Sequence, residues 1–142
     1  MFYVITWGGD PEDVLMTTSG VGGMTEVEAM LREAVADPRW ADGTRVLIDH
    51  TQTDWSGVTT SDLEQHAERL IRGDIPLGRQ QFAIVVREGQ DYVAQRTLGF
   101  RLDRKVPFLV RYFSSLTDAR AWLCRPDQLA HVTPRPQPPR AG

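Results

Sequence analysis

The residues best suited to chemistry follow a short apolar segment, residues 46–48. Asp49 and His50 come directly after it, and Asp54 lies a few positions later. Carboxylate and imidazole groups are common metal ligands, and α/β proteins often bind ligands at the carboxyl ends of their strands. Adjacent residues of an extended strand point to opposite faces, however, so Asp49 and His50 are not expected to share one ion. The sequence therefore predicts neither a metal site nor a cofactor.

A glycine cluster, Gly20–Gly23, precedes a predicted helix and loosely imitates a dinucleotide-binding motif. In that motif three glycines recur at fixed spacing, and an acidic residue follows about 20 residues later. Here the last glycine position falls at Thr25, and Asp49 lies further along the chain than the motif requires. Nucleotide binding is therefore the third of three functional hypotheses, after protein interaction and ligand carriage.

The remaining histidines and the single cysteine have structural explanations. His66 lies on the apolar side of a predicted helix, near Leu63 and Leu70, which is typical of a buried structural histidine. Cys124 lies near a predicted helix end without the signature of a nucleophile, where a lone cysteine usually serves packing. His131 belongs to the C-terminal tail. We therefore expect a non-enzymatic protein without catalytic residues.

The polar loop over residues 51–60 and the helix start after it are the segment favoured for partner binding or regulation. The candidate residues are Asp54, Trp55, Ser56 and Ser61. Tryptophan is over-represented in interface hot spots, so Trp55 either anchors a partner or folds back onto its own domain. Ser61, with Glu64 at capping-box spacing, is predicted to be an N-cap. A phosphate on Ser61 would meet free backbone N–H groups and the positive end of the helix dipole, which makes regulation the second interpretation.

Apolar periodicity and turn residues predict elements in the order β-β-α-β-α-β-α-β-α. The predicted strands are Phe2–Trp7, Val14–Ser19, Thr44–His50, Phe82–Val86 and Pro107–Phe113. The predicted helices begin near Thr25, Ser61, Gln90 and Ser115, and end before Pro38, at Gly73, at Arg104 and before Pro126. Thr25, with Glu28 three residues on, and Ser115, with Asp118 three residues on, are predicted to cap the first and last helices. The apolar run in the third strand does not alternate, so we expect that strand to be buried on both faces. The fold class is α/β, with a mixed sheet of about five strands covered by about four helices.

Length and charge limit the range of functions. A chain of 142 residues suits one domain, and its formal net charge of −3 argues against nucleic-acid binding, which needs a basic surface. With a single cysteine, an internal disulfide cannot form, and a reducing, cytoplasmic location is expected. The apolar run Phe2–Trp7 is too short to span a membrane and no basic segment precedes it, so we expect no integral membrane association.

The last segment, residues 125–142, is rich in proline and arginine and almost free of apolar side chains. Such a segment cannot bury enough surface to offset its ordering entropy, so a disordered tail is predicted after a domain over residues 1–124. Pro136–Pro139, between Arg135 and Arg140, is either a polyproline ligand or simply a linker or terminus.

Several local motifs accompany this order of elements: Asp37–Trp40, Gly43, Arg45–Asp49, Phe82–Val86, Tyr92, Val110–Ser114 and Ala119–Leu123. Together they resemble the SpoIIAA-like branch of the STAS superfamily. That family has a helix ending in Asp-Pro-Arg-aromatic and then a strand ending in Asp. The resemblance covers roughly residues 3–124. It implies a mixed sheet covered by helices, related to STAS and CRAL-TRIO-type lipid-binding folds, and no known reaction.

The resemblance also implies where a regulatory serine would lie. Anti-sigma-factor antagonists of the STAS type carry a phosphorylated serine in an Asp-Ser-Ser-Gly stretch at the start of a helix. The nearest stretch here is Asp54–Gly57, in which Trp55 replaces that serine and only Ser56 and Gly57 match the second half. The simplest switch of the family therefore does not transfer to this chain.

The first functional hypothesis is a non-enzymatic regulatory or protein-interaction module of SpoIIAA-like type, with residues 54–61 as its docking surface. The alternative is a carrier of a small apolar or lipid-like ligand, as the CRAL-TRIO relationship implies, with the weakly amphipathic third helix around Gly99 opening the pocket. Residues that would meet an acidic headgroup are Arg96, Arg101, Arg104 and Lys105. An exposed sheet edge at the first hairpin also predicts a homodimer.

Overall fold

The structure is a computed structural model that describes residues 1–125. Strands β1 to β5 span Phe2–Trp7, Val14–Val21, Arg45–Asp54, Gln81–Val85 and Leu109–Phe113. Helices α1 to α4 span Met24–Ala36, Thr60–Arg72, Gln90–Leu102 and Leu116–Leu123. This order confirms the predicted fold class. The predicted disordered tail, with its polyproline stretch and His131, lies outside the described residues after Arg125.

The strands form one sheet in the order β1-β2-β3-β4-β5, with β1 antiparallel to β2 and every later pair parallel. Each parallel pair is joined by a helix, and each connection advances across the sheet in the same direction. Right-handed crossovers that advance in one direction place their helices on the same face. Side chains of α1, α2 and α3 accordingly share one core cluster.

The opposite face of the sheet is covered by α4, which contacts β3, β4 and β5. Ala119, Trp122 and Leu123 of this helix pack against Leu47, Ala83 and Val85 in a second core cluster. The predicted N-cap at Ser115 is confirmed, because its hydroxyl accepts a hydrogen bond from the Asp118 N–H at 3.3 Å. The two layers that cover the sheet are thus unequal in extent.

Strand β3 lies at the centre of the sheet, and its run Val46, Leu47 and Ile48 is at most 3% exposed. The prediction of a strand buried on both faces is confirmed. The strand continues to Asp54, so the predicted end at His50 is wrong. The extension follows from pairing with the end of β2, where Gly20 lies opposite Thr53.

The observed helix boundaries agree in part with those predicted from the sequence. Helix α2 closes at Gly73 in the left-handed conformation, with φ +78°, as predicted. Helix α1 ends at Ala36, just before Pro38, as expected. The predicted cap at Thr25 is wrong, because the helix begins at Met24. Its supposed capping partner, Glu28, is instead buried and reaches across to another helix.

Glu28 ties α1 to α2 through a buried ionic contact. Its carboxylate lies 2.7 Å from His66 Nδ1 and accepts hydrogen bonds from Arg69 Nε at 2.8 and 3.0 Å. Burial alone would raise the pKa of Glu28, but the hydrogen bonds to His66 and Arg69 outweigh it and lower that pKa. The expectation that His66 is a buried structural residue is confirmed, since it is 3% exposed.

Replacing Glu28 therefore tests how much this contact stabilises the fold. Glu28→Ala leaves His66 and Arg69 beside an unfilled space, and removing one partner of a buried ion pair typically costs about 3–5 kcal/mol. The loss is expected as a lower urea midpoint for unfolding. Glu64→Ala is the matched control, because Glu64 pairs with Arg101 at 2.8 Å but is 46% exposed. That change is expected to cost about 0–1 kcal/mol, and equal costs for both variants would contradict the assignment.

Candidate functional site

Trp55, at the centre of the predicted docking loop, lies inside the domain. It is 5% exposed and belongs to the main core cluster. Of its two interpretations, folding back onto the domain is confirmed and the exposed partner anchor is wrong. Its neighbours Asp54 and Ser56 are exposed, and an Asp54 carboxylate oxygen accepts a hydrogen bond from the Ser56 N–H at 2.9 Å. The carboxylate stabilises the turn after β3, leaving Ser56 at the surface.

The glycine cluster explains how Trp55 enters the core. A Cβ added at Gly22 would lie 2.5 Å from the Trp55 ring, so the indole needs a glycine at this position. The Gly22 N–H also donates to the Asp54 carbonyl at 2.7 Å, which holds the two chain segments together. On its other side, Trp55 meets the His50 ring edge to face, with centroids 4.7 Å apart. Within residues 20–23, Gly22 thus has a packing role that the sequence alone did not suggest.

Ser61 does not cap α2, and its predicted role as N-cap is wrong. Thr59 caps the helix: its hydroxyl accepts from the Asp62 N–H at 3.1 Å, while an Asp62 carboxylate oxygen accepts from the Thr59 N–H at 2.9 Å. Threonine and aspartate at this spacing form the same reciprocal contact as a Ser/Glu capping box, so the local sequence is compatible with a helix start at either Thr59 or Ser61. Ser61 is exposed in the first turn, and its phosphorylation stays a prediction.

Next to Trp55, the ends of β2 and β3 bury a small polar network. The Thr18 hydroxyl is hydrogen-bonded to His50 Nδ1 at 2.7 Å and to the Thr53 hydroxyl at 2.6 Å. All three side chains are at most 4% exposed. Burial lowers the pKa of His50 from 6.5 to about 3, despite the nearby charge of Asp49. His50 is therefore neutral at ordinary pH.

The Asp49 side chain lies apart from this network. The adjacent His50 packs in the core, whereas an Asp49 carboxylate oxygen accepts from the N–H and hydroxyl of Thr51 at 2.9 and 2.6 Å. Across residues 1–125, the structure brings together no group of three His, Cys, Asp or Glu side chains that could hold a metal ion. Cys124 is exposed at the end of α4, so the packing role expected for it is wrong.

A cavity of about 50 Å³ lies between the sheet and the three helices on the larger layer. Polar side chains that line it are His50, Trp55, His66, Gln95 and Tyr112. Ligand pockets usually measure about 300–1,000 Å³, and an apolar cavity of about 150 Å³ binds benzene. This cavity therefore has no room for the lipid-like ligand of the carrier hypothesis.

The outer surface of α3 is the second candidate location. Val93 is 63% exposed and Phe100 is 84% exposed, although Leu98 and Leu102 on the inner side are buried. We define the α3 face as the five residues that line its outer groove: Tyr92, Val93, Arg96, Thr97 and Phe100. A surface helix usually confines its apolar residues to one side, so apolar residues on both sides indicate a second contact surface.

Gly99 lets α3 approach the edge strand β5. A Cβ at this position would lie 2.6 Å from the Tyr112 ring, so the helix backbone rests directly on the aromatic side chain. A second groove runs along this junction, and Arg96 and Arg111 line it together with Phe100. The third helix was predicted to open a pocket around Gly99, whereas in the structure this glycine allows close packing of α3 against β5.

Comparison with known proteins supports the fold. No family model and no curated protein matches the sequence. Among solved structures, an uncharacterized protein of the DUF3478 family from Shewanella loihica, described as having a SpoIIAA-like fold, is similar with a TM-score of 0.52. The match covers 86% of this chain and 94% of that chain at 18% identity. This chain therefore has a SpoIIAA-like fold, as the motifs predicted. Among residues 1–125, none of the helices is long and apolar enough to cross a membrane.

The buried His50 predicts a specific loss of stability in acid. Its pKa of about 3 lies below the 6.5 of an accessible histidine, so the unfolded chain binds an extra proton between these values. Stability from this group is complete above about pH 6.5 and falls by up to about 1.4 kcal/mol per pH unit as the pH decreases. Urea unfolding should show this slope, and His50→Gln, which does not titrate, should flatten it. Identical slopes would contradict the assignment.

Proposed function

We propose that this protein is a non-enzymatic interaction module that binds an acidic segment of a partner protein on the α3 face. The observation that carries the proposal is Phe100, a large apolar side chain that is 84% exposed on a helix whose inner side already packs in the core. Aromatic residues are enriched at binding hot spots. Burying such a side chain is worth about 1.5–3 kcal/mol.

The side chains of the α3 face are placed to act together. Val93, Thr97 and Phe100 follow one another at helical spacings of four and three, so they lie on one side of α3. Arg96 lies beside them, with its guanidinium carbon 5.4 Å from the centre of the Tyr92 ring. An apolar anchor beside a cation on a rigid helix suits a partner side chain that is apolar and flanked by carboxylates.

Charge supports an acidic partner. The basic residues in and directly after α3 are Arg96, Arg101, Arg104 and Lys105, and they outnumber the two acidic residues of the same segment, Asp91 and Asp103. Arg101 also pairs with Glu64 of α2, so Arg96, Arg104 and Lys105 contribute most of the excess. The chain as a whole has a net charge of −3, so this local excess of positive charge is a departure from the average surface. Complementary charge increases the rate of encounter and selects among partners more than it increases affinity.

The contacts of the chemically capable residues support a function without catalysis. His66 is held by Glu28 and His50 by Thr18, both in the interior. Asp49 is engaged with Thr51. These contacts give each of the three groups a structural role in the fold. A regulatory role of Ser61, which is exposed at the start of α2, belongs to the same proposal.

Peptide selection tests this surface directly. Random peptides displayed on phage and selected on the immobilised protein should converge on sequences that combine acidic residues with an apolar side chain. Phe100→Ala should weaken a selected peptide at least about tenfold, a loss of about 1.4 kcal/mol. Val21→Ala is the control, because Val21 is also 67% exposed but lies on β2, away from α3. Binding should also decrease as salt is raised.

Three results would overturn the proposal. One is a set of selected peptides without acidic residues. Another is Phe100→Ala binding as tightly as the unchanged protein. The last is binding to phosphatidylserine vesicles through Phe100 with no peptide selected, which would assign the α3 face to a membrane surface. Circular dichroism confirms that each variant is folded, and because Phe100 is exposed its removal is not expected to disturb the core.

A further inference from the structure

Strand β1 leaves one edge of the sheet without protection. It pairs with β2 on one side, and among the described residues no strand pairs with its other side. Native proteins usually guard such an edge with lysine, proline, a bulge or an inward-pointing charge. The six residues of β1, Phe2–Trp7, contain neither charge nor proline. Their register with β2 runs without interruption. The free edge is therefore suited to another strand.

The face of β1 opposite the main core is also uncovered. Tyr3, Ile5 and Trp7 pack against the main core cluster, and side chains alternate along a strand. Phe2 and Val4 thus lie on the face that carries α4, where they are 78% and 64% exposed. They remain exposed because α4 contacts β3, β4 and β5 at the other side of that face.

We propose that a second copy of this chain covers this edge, with the two β1 strands paired antiparallel about a two-fold axis. An axis perpendicular to the sheet keeps each face continuous across the pair. Two registers, centred on Val4 or on Ile5, pair five of the six residues of β1. We choose the first, because it places the exposed Val4 opposite Val4 of the second copy. Phe2 then lies opposite Thr6, and Tyr3 opposite Ile5.

This arrangement suits a second copy of the same chain. In a two-fold pair, each charged residue lies near the same residue of the second copy or near a symmetry-related neighbour. A charged edge strand would therefore repel the same strand of the second copy. No such repulsion arises within β1. The exposed Phe2 and Val4 of both copies would form one apolar patch on the face left open by α4. Since two strands bury less than a standard interface of about 800 Å² per partner, the dimer is expected to dissociate on dilution.

Cysteine cross-linking tests both the dimer and its register. In a Cys124→Ser background, Val4→Cys brings two thiols face to face, because directly opposite residues have Cα atoms about 4.5–5.5 Å apart and a disulfide needs about 4.4–6.8 Å. Mild oxidation should convert most of this variant into a covalent dimer. Thr6→Cys is the control, because the two copies of residue 6 would be about 13 Å apart along the strands. Cross-linking at residue 6 as fast as at residue 4, or at neither, would overturn the proposal.

Light scattering tests the dimer independently of cysteine cross-linking. The mass of the unchanged protein should increase with concentration toward that of two chains. Val4→Lys should remain a monomer throughout, while Val21→Lys, at an exposed position outside β1, should dimerise normally. A monomer at every concentration for the unchanged protein, or a dimer that survives Val4→Lys, would reject pairing through β1. Circular dichroism should show that both lysine variants keep the fold.

Discussion

The direction in which the chain crosses the sheet determines most of this structure. Three parallel connections advance the same way, and right-handed crossovers then place α1, α2 and α3 on one face. The other face depends on α4, a short helix that contacts β3, β4 and β5. The central strand β3 is consequently buried on both faces, while β1 is covered on one. The exposure of Phe2 and Val4 follows from this inequality rather than from any local feature of β1.

Several polar groups inside the larger layer are hydrogen-bonded to one another. Thr18, His50 and Thr53 bond one another beside Trp55, and Glu28 is shared by His66 and Arg69. Buried polar groups cost free energy unless they are hydrogen-bonded, so these contacts are needed for the core to form at all. Residues that a sequence search would select as catalytic are thus engaged in holding helices and strands together. The two surfaces that we propose as binding sites lie at opposite ends of the sheet, on β1 and α3.

The order of the elements and the burial of β3 were predictable, because apolar periodicity and glycine or proline stops are local signals. The helix starts were less predictable from the sequence. Thr59 and Ser61 both precede an acidic residue at a suitable spacing, and only the backbone path after Trp55 decides between them. Glu28 had the spacing of a capping partner for Thr25, but a carboxylate on α1 finds its partners on α2, across 38 residues of sequence. No local sequence pattern indicates which distant residues Glu28 contacts.

The sequence by itself determined the SpoIIAA-like order of strands and helices, the inward faces of those helices and the replacement of the family's serine by Trp55. The tertiary structure decided what Trp55 does, because its burial depends on Gly22 arriving from another strand to make room for the ring. It also decided which apolar residues stay exposed. A residue's type states only its preference for burial, whereas its exposure depends on whether a distant element covers it, as with Phe100 and Val4.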